Sequence, residues 1–250
     1  MINQAIQEYL ERHRHKHINL KAVLFDMDGV LFDSMPAHAK AWHRVMEEYG
    51  LTLSEEEAFM HEGRTGASTI NIVSLRETGK EVNEQKVKEI YARKIDLFNE
   101  YPTARPMPGA WETLQQAKLK HQLTTMVVTG SGQQSLLQRL DSNFPGIFTR
   151  ELMVTAADVR KGKPDPEPYL MALQKAHIHP NEAIVIENAP LGVEAAVAAG
   201  IFTIAVNTGP LPDEVLLNQG ANLLLPSMQD LANEWETIME AIKKQMQNYQ

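Results

Sequence analysis

The sequence predicts an α/β fold, in which a mostly parallel sheet is covered by helices on both faces and carries an inserted, all-helical domain. Two observations predict this. Short and nearly continuous apolar runs alternate with helical patterns along most of the chain, as is typical of βαβ units and of strands buried on both faces. Residues 36–102 alone break the alternation, because they contain helical patterns and no strand-like run.

The predicted strands and helices follow one another regularly outside that stretch. The first apolar run, at 22–25, predicts a buried strand. Further strands are predicted at 124–129, 151–155, 183–187, 202–206 and 222–225, and helices at 108–120, 133–140, 166–175, 190–199 and 228–244. Proline in a first turn and glycine after a last turn support several of these helix bounds.

The stretch that lacks strands contains four predicted helices, at 36–49, from a capping box at 54–57, at 68–77 and at 83–99. We therefore assign residues 1–35 and 103–250 to a catalytic core and residues 36–102 to an inserted helical cap. The prolines within 101–108 predict a stiff return segment. Because the insertion leaves and re-enters beside the end of the first strand, it can cover a site there as a lid.

Composition limits the classes of function. A net charge of −8 argues against a nucleic-acid or anionic-membrane surface. The absence of cysteine excludes disulfides and thiolate metal sites. No apolar stretch is long enough to span a membrane, and the first 20 residues lack the apolar centre of a signal peptide. We expect a cytoplasmic monomer. The basic run at 12–17 is compatible with a metal- or anion-binding tract, but is more typical of the exposed face of a short helix.

Two carboxylates follow the first predicted strand. Asp26 and Asp28 end a run of Val, Leu and Phe and precede a glycine. Removing carboxylates from water costs several kcal/mol each unless a cation or hydrogen bonds compensate, and ligands bind at the carboxyl ends of strands in open α/β sheets. The pattern favours a site that holds a divalent metal and offers one acid as a nucleophile. The alternative is a solvated Asp-Met-Asp-Gly turn.

Polar residues of complementary types follow later elements. They are Thr129, Gly130 and Ser131 after the second strand, Lys163 before the helix at 166–175, and Glu187 with Asn188 at the end of the fourth strand. Three acids suit Mg²⁺, which prefers oxygen ligands and keeps some waters. A hydroxyl, backbone amides and an ammonium suit the oxygens of a phosphoryl group. Together they predict phosphoryl transfer.

These residues resemble a known family. The segment Asp26-Met27-Asp28-Gly29-Val30, with Thr129, Lys163 and Glu187, resembles the four motifs of the haloacid-dehalogenase superfamily, in order and on the expected elements. The insertion and the segments 162–170 and 190–196 resemble the β-phosphoglucomutase-like branch, and the resemblance covers nearly the whole chain after residue 20. It implies a Rossmann-like core with strand order 5-4-1-2-3.

The resemblance also implies residue roles. Asp26 would be the nucleophile that becomes an aspartyl-phosphate, and Asp28 would be the general acid and base. Asp26, the backbone carbonyl of Asp28, and Glu187 would hold Mg²⁺, while Thr129 and Lys163 would grip the phosphoryl group. Asn188 departs from the pattern, since many relatives carry an acid there; an amide can still hold the water shell of the metal or orient Lys163.

The polar turn at 61–69 is predicted to face the site and to recognise the leaving group. Glu62 stands where mutases of the branch carry a lysine that holds a second phosphate, and Arg64 is shifted from the corresponding arginine. Because a carboxylate repels phosphate unless a metal lies between them, Glu62 favours a hydrolase of a very small, metal-complexed substrate such as pyrophosphate. Alternatively, Glu62 pairs with Arg64 or caps a helix. His38 resembles a branch residue that couples cap closure to Asp28; it is equally compatible with a partly buried helix histidine.

The leading hypothesis is a Mg²⁺-dependent phosphohydrolase for a small phosphate compound, either pyrophosphate or a sugar phosphate. A hexose-phosphate mutase using the same nucleophile is the alternative. A phospho-acceptor signalling domain is a different class, but such a domain is about half this length and has nothing resembling residues 36–102. We expect a small phosphorylated partner, and neither nucleic acid nor membrane.

Overall fold

The computed structural model of the protein describes residues 1–102, 104–132 and 134–247. Thr103, at which we placed a domain boundary, and Gln133, at which we began a predicted helix, lie outside the described residues.

One parallel sheet of six strands forms the core, in the order β3-β2-β1-β4-β5-β6. The strands are β1 Ala22–Phe25, β2 Thr124–Val128, β3 Met153–Val154, β4 Ala183–Glu187, β5 Phe202–Val206 and β6 Leu223–Leu225. The predicted order 5-4-1-2-3 is confirmed, and β6 adds a further strand outside β5. Phe25 is in register with Val127 of β2 and Ile186 of β4, so residues that follow these three strands lie at the same edge of the sheet.

Helices surround this sheet and form the insertion. They are α1 Ile2–His13, α2 Met35–Glu48, α3 Glu55–Met60, α4 Gly66–Thr78, α5 Glu84–Asn99, α6 Ala110–Gln115, α7 Gln134–Asn143, α8 Glu167–Ala176, α9 Pro190–Ala198, α10 Asp213–Leu217 and α11 Met228–Gln247. A wide turn at Gln116–Lys120 extends α6, and short 3₁₀ turns lie at Arg150–Leu152 and Pro180–Glu182. No helix in the described part of the chain is long and apolar enough to cross a membrane.

Alternate residues of β1 pack on opposite faces of the sheet. Val23 and Phe25 belong to the larger apolar cluster, which includes residues of α1, α6 and α11. Ala22 and Leu24 belong to a second cluster with residues of α8 and α9. Side chains alternate between the two faces of a strand. Because both faces are buried here, the sequences of the strands are continuous apolar runs.

Three of the inserted helices, α3, α4 and α5, each begin at a residue that caps the helix with its side chain. The side-chain oxygens of Ser54, Thr65 and Asn83 accept hydrogen bonds from backbone N–H groups in the first turns of α3, α4 and α5, which satisfies donors that a helix leaves free. The two linkers to the core run side by side, with Asp33 N–H donating to Arg105 O and Met107 N–H donating to Leu31 O, both at 2.9 Å. This paired connection places the insertion next to the end of β1.

Candidate active site

The turn after β1 brings Asp26 and Asp28 to the centre of the sheet edge. Both are buried, at 3% and 8% exposure. Gly29 follows with φ of 79°, and a Cβ there would lie 2.0 Å from Nδ2 of Asn188. Glycine is therefore required for two reasons, since side chains are strained at positive φ and Asn188 occupies the space. The tight turn holds the two acids against the residues that follow β4.

Lys163 joins the ends of three strands. Its buried Nζ donates to Asp26 Oδ1 at 2.5 Å, to Glu187 Oε1 at 2.6 Å and to the backbone oxygen of Val128 at 3.0 Å. Burial alone would discharge this ammonium, but the charges of Asp26 and Glu187 raise the pKa of Lys163 above its usual value. Lys163 is thus a fixed positive charge directly beside the predicted nucleophile.

Glu187 is fully occupied by protein donors. Its Oε1 accepts from Lys163 and from the hydroxyl of Tyr169 at 2.9 Å, and its Oε2 accepts from the backbone N–H groups of Asn188 and Ala189 at 2.9 and 3.0 Å. A Cβ at Gly192 would lie 1.7 Å from Oε1, so the start of α9 also encloses the carboxylate. A direct bond from Glu187 to a metal therefore stays a prediction, and it requires one of these donors to move.

Glu62 reaches the core from the turn between α3 and α4. It is 7% exposed, and its Oε1 accepts a hydrogen bond of 2.9 Å from Nδ2 of Asn188. Two alternatives from the sequence are wrong: α4 is capped by Thr65, and among the described residues Glu62 forms no ion pair with Arg64. The cap turn therefore brings a carboxylate into direct contact with the core.

Acidic side chains accumulate in this small volume. Asp26, Asp28, Glu62 and Glu187 are all buried. Burial raises the pKa of Asp26 to about 8, which Lys163 opposes and Glu187 and Asp28 reinforce. Burial and the charge of Asp26 raise the pKa of Glu62 well above its usual range. The site thus has more buried carboxylates than ammonium groups to compensate them, which is the environment that attracts a cation.

The donor set fits a hard divalent cation. Oδ1 of Asn188 is buried and has no hydrogen-bond partner among the described residues. Together with Asp26, the backbone carbonyl of Asp28 and Glu62 it supplies oxygen ligands of the kind that Mg²⁺ prefers. Within the described residues, however, no three His, Asp or Glu side chains form a ready metal-binding group. Lys163 explains this, because its Nζ lies between Asp26 and Glu187.

A chain of polar contacts extends from Asp28 into the insertion. Oδ1 of Asp28 accepts from the hydroxyl of Ser34 at 2.6 Å and lies 3.3 Å from Nε2 of His38. Nδ1 of His38 lies 2.5 Å from Nζ of Lys94. Burial opposes the charge of Asp28, yet His38 and Ser34 lower its pKa, and burial lowers the pKa of Lys94 to about 7. His38 is therefore buried in contact with Asp28, and is more than a helix histidine packed in the cap.

Two further residues of the site, Lys94 and Tyr169, were not predicted from the sequence. Lys94 is 2% exposed and stands on the apolar face of α5, four residues after Ile90 and three before Leu97. A charged residue on an apolar helical face is a signal that could have identified it. Tyr169 lies in the buried face of α8, and nothing in the sequence distinguishes it from an ordinary core aromatic.

The loop after β2 lies opposite the cap turn. Thr129 is buried, and its Oγ1 accepts from the N–H of Ser131 at 3.0 Å. A Cβ at Gly130 would lie 2.2 Å from the backbone oxygen of Gly63, so the two backbones are in direct contact. All three predicted phosphate-binding residues of this loop line the inner cavity, together with Asp26 and Asp28.

The inner cavity between cap and core is small. Its volume is about 50 Å³, which corresponds to a few water molecules. Glu62, Arg64 and His38 line it from the cap. Nε of Arg64 is buried without a hydrogen-bond partner among the described residues. The predicted cap residues therefore meet Asp26, Asp28 and the loop after β2 around one cavity, whereas the predicted residues Lys163, Glu187 and Asn188 are not among those that line it.

Comparison with known proteins finds relatives of this chain among hydrolases and phosphatases. Residues 23–206 match the model of the family described as haloacid dehalogenase-like hydrolase. The chain is 30% identical to a phosphorylated carbohydrates phosphatase of Thermotoga maritima, with 88% of this chain and 100% of that protein covered. It is 32% identical to hexitol phosphatase A of Escherichia coli, over 84% and 93% of the two chains.

A solved structure is also similar over almost the whole chain. A Bacteroides vulgatus protein, provisionally assigned as a β-phosphoglucomutase, is 62% identical and superimposes with a TM-score of 0.94. The alignment covers 97% of this chain and 98% of that one. Similarity at this level includes the insertion as well as the sheet.

Proposed function

Because the chain belongs to the haloacid dehalogenase-like hydrolases, we propose that it is a Mg²⁺-dependent phosphohydrolase that cleaves inorganic pyrophosphate through an aspartyl-phosphate on Asp26. Family membership makes the chain an enzyme of the phosphatase and phosphomutase type. The choice of reaction within that type depends on the residues of the site.

The bond between Glu62 and Asn188 carries the proposal. It places a buried carboxylate from the cap against the inner cavity, where a sugar phosphate mutase needs a positive charge for its second phosphate. A bare phosphate would be repelled there, whereas a substrate complexed by a cation would not. The cavity volume of about 50 Å³ also favours a substrate with a very small leaving group.

In the first step Asp26 attacks the phosphorus atom, and the bond from phosphorus to the leaving oxygen breaks. Lys163 holds Asp26 Oδ1 and offsets the charge that accumulates on nucleophile and phosphoryl group. Thr129 and the amides of the loop after β2 lie where phosphoryl oxygens would be bound. When bound, Mg²⁺ would be held by Asp26, the carbonyl of Asp28, Asn188 and Glu62, and by Glu187 once one of its donors moves. It would neutralise charge between nucleophile and phosphate.

In the second step Asp28 removes a proton from water, whose oxygen attacks the aspartyl-phosphate and restores Asp26. The lowered pKa of Asp28, to which His38 and Ser34 contribute against burial, keeps it mostly ionised and so able to accept a proton. Because Asp28 is mostly ionised, it seldom carries a proton that it could donate to the leaving group in the first step. A phosphate leaving group needs less protonation than a sugar hydroxyl, which agrees with pyrophosphate as substrate.

Sugar phosphates form the second candidate class. Two relatives of this chain are named for the dephosphorylation of carbohydrates or hexitols, and another, from Bacillus subtilis, is a β-phosphoglucomutase with 27% identity. A sugar would require the cap to move away from the core, and a mutase would require Arg64 to hold the distal phosphate.

A substrate panel separates these candidates. Phosphate release from pyrophosphate, hexose phosphates, hexitol phosphates and nucleotides is measured with Mg²⁺ and with a chelator. We expect kcat/KM for pyrophosphate to exceed that for every ester by at least about tenfold and to vanish in the chelator. Faster hydrolysis of a sugar phosphate would replace pyrophosphate as substrate, and interconversion of glucose 1- and 6-phosphates faster than hydrolysis would favour the mutase.

A further inference from the structure

A groove separate from the inner cavity runs along the seam between cap and core. We call it the seam groove; it is lined by Arg64, Thr65 and Ser68 from the cap and by Arg160, Lys161, Gly162, Lys163, Pro164 and Asp165 from the core. Its volume is about 510 Å³, compared with about 50 Å³ for the inner cavity. It can therefore hold a hydrated anion that the inner cavity cannot hold with its water shell.

The seam groove concentrates positive charge on a molecule whose net charge is −8. Arg64, Arg160 and Lys161 contribute cationic groups, and Asp165 contributes one acid, which lies 3.5 Å from Lys161. Within the described residues, neither guanidinium forms an ion pair. A lining with more cationic than anionic groups concentrates small anions, so this groove favours anions.

Arg64 supplies an unsatisfied donor in this wall. Its Nε is buried and lacks a hydrogen-bond partner among the described residues. Burial lowers the pKa of Arg64, and Glu194 opposes this electrostatically without forming an ion pair. A buried donor on a cation is costly when it is unpaired. The residue as a whole is only partly buried and lines the groove, so an oxyanion in the groove would bind the charged guanidinium of Arg64.

The seam groove adjoins the inner cavity, and two of its lining residues connect it to the reaction centre. Arg64 lines both the groove and the inner cavity. Lys163 lines the groove with its stem and donates from Nζ to Asp26. We propose that the seam groove is a second phosphate-binding site, which holds a phosphate group on its way into or out of the inner cavity. The kinetic part of this inference rests on the proposed function, whereas the binding part does not.

The test compares two double variants with the same change in charge. Arg160→Gln with Lys161→Gln alters the seam groove, and Arg12→Gln with Lys16→Gln alters exposed residues of the N-terminal segment. Arg64 stays unchanged because it also lines the inner cavity. Binding of inorganic phosphate is titrated by ³¹P NMR in an Asp26→Asn background. We expect two binding events, of which the groove variant loses one and the control variant loses none.

Kinetics distinguishes the two sources of the phosphate group. If the groove receives substrate, the groove variant lowers kcat/KM for pyrophosphate at least about threefold at low ionic strength, and high salt abolishes the difference. If it receives product, the variant instead weakens inhibition by inorganic phosphate at least about threefold, by the same electrostatic argument.

Equal phosphate binding by the groove and control variants would overturn the proposal, whatever the rates. If the wild type releases no phosphate from pyrophosphate, the proposed function fails, and the phosphate titration still decides whether the seam groove is a binding site.

Discussion

At the scale of residues, the site is defined by unbalanced charge. The site contains four buried carboxylates, of which Asp26 and Glu187 contact Lys163 and only Glu62 belongs to the cap. Electrostatic terms are large in such a poorly hydrated volume, so a single carboxylate can determine which ligand is accepted. We therefore propose that Glu62 is the cap residue that determines which substrate binds.

The first prediction concerns Glu62→Ala. Because Glu62 would act on a cation-complexed substrate, the change should lower kcat/KM for pyrophosphate by about 10²–10³-fold and affect bulky phosphate esters far less. Steady-state assays on both substrate types measure the ratio. Glu55→Ala, an exposed acid in the first turn of α3, is the control and should change neither rate. An equal loss of kcat/KM on all substrates would show that Glu62 has only a structural role.

The second prediction concerns Lys94. Lys94→Met should lower kcat/KM about tenfold, because Nζ at Nδ1 of His38 keeps the other ring nitrogen directed at Asp28. Burial lowers the pKa of Lys94 to about 7, so the wild-type pH profile should contain an ionisation near that value, which the variant lacks. Lys88→Met, on the exposed face of α5, is the control. An unchanged profile in Lys94→Met would exclude the positioning role.

At the scale of elements, the contact between the cap turn and the loop after β2 decides whether the site closes. Gly130 and Gly63 meet through their backbones, and a Cβ at Gly162 would lie 2.7 Å from Cγ2 of Thr65. These glycines let the turn at 62–65 approach the core. Closure that excludes water strengthens every polar interaction in the site.

Gly130→Ala should therefore hold the cap open. The added Cβ would lie 2.2 Å from the backbone oxygen of Gly63, and a backbone cannot rotate away as a flexible side chain can. We expect at least about a tenfold loss in kcat/KM for pyrophosphate with little change in Tm, since the contact lies outside the apolar core. Gly132→Ala, where a Cβ would meet nothing within 4 Å, should behave like wild type. A matching loss in both variants would contradict this explanation.

The elements were largely predictable because each has a local cause. Apolar runs set the strands, and Ser54 and Asn83 were recognised at the starts of their helices. β3 is shorter than predicted, at Met153–Val154, because a 3₁₀ turn occupies Arg150–Leu152. The bond from Glu62 to Asn188 joins residues 126 positions apart. No local pattern determines such a contact, so the sequence could propose that Glu62 faces the site but could not identify its partner.

At the scale of the whole molecule, the haloacid-dehalogenase resemblance and the α/β core with its inserted cap are confirmed. The polar residues after β1, β2 and β4 meet because parallel strands bring their carboxyl ends to one edge. Tyr169 escaped prediction because packing, rather than spacing, brings it to Glu187. The position of Lys94 on the apolar face of α5 is visible in the sequence, but its contact with His38 is not.

The buried charge should make stability depend on pH. The folded-state pKa of Asp26 is raised from 3.8 to about 8, chiefly by burial, so the folded state binds this proton more tightly than the unfolded state. Stability from this group is fully present below about pH 4 and is lost as pH rises through 8. Without metal, the Tm of the wild type should fall between pH 5 and 8 by a few degrees more than that of Asp26→Asn. Equal pH dependence of the two proteins would contradict the charge assignment.

The most direct test of the account is to trap the phosphorylated enzyme. Protein mixed with pyrophosphate and Mg²⁺ is quenched in acid within one turnover, and its peptides are analysed by mass spectrometry. We expect one phosphoryl group on the peptide that contains Asp26, absent with chelator and absent in Asp26→Asn, which should be folded and inactive. Rapid phosphate release with no labelled peptide, or substantial turnover by Asp26→Asn, would mean that water attacks directly and that Asp26 is not the nucleophile.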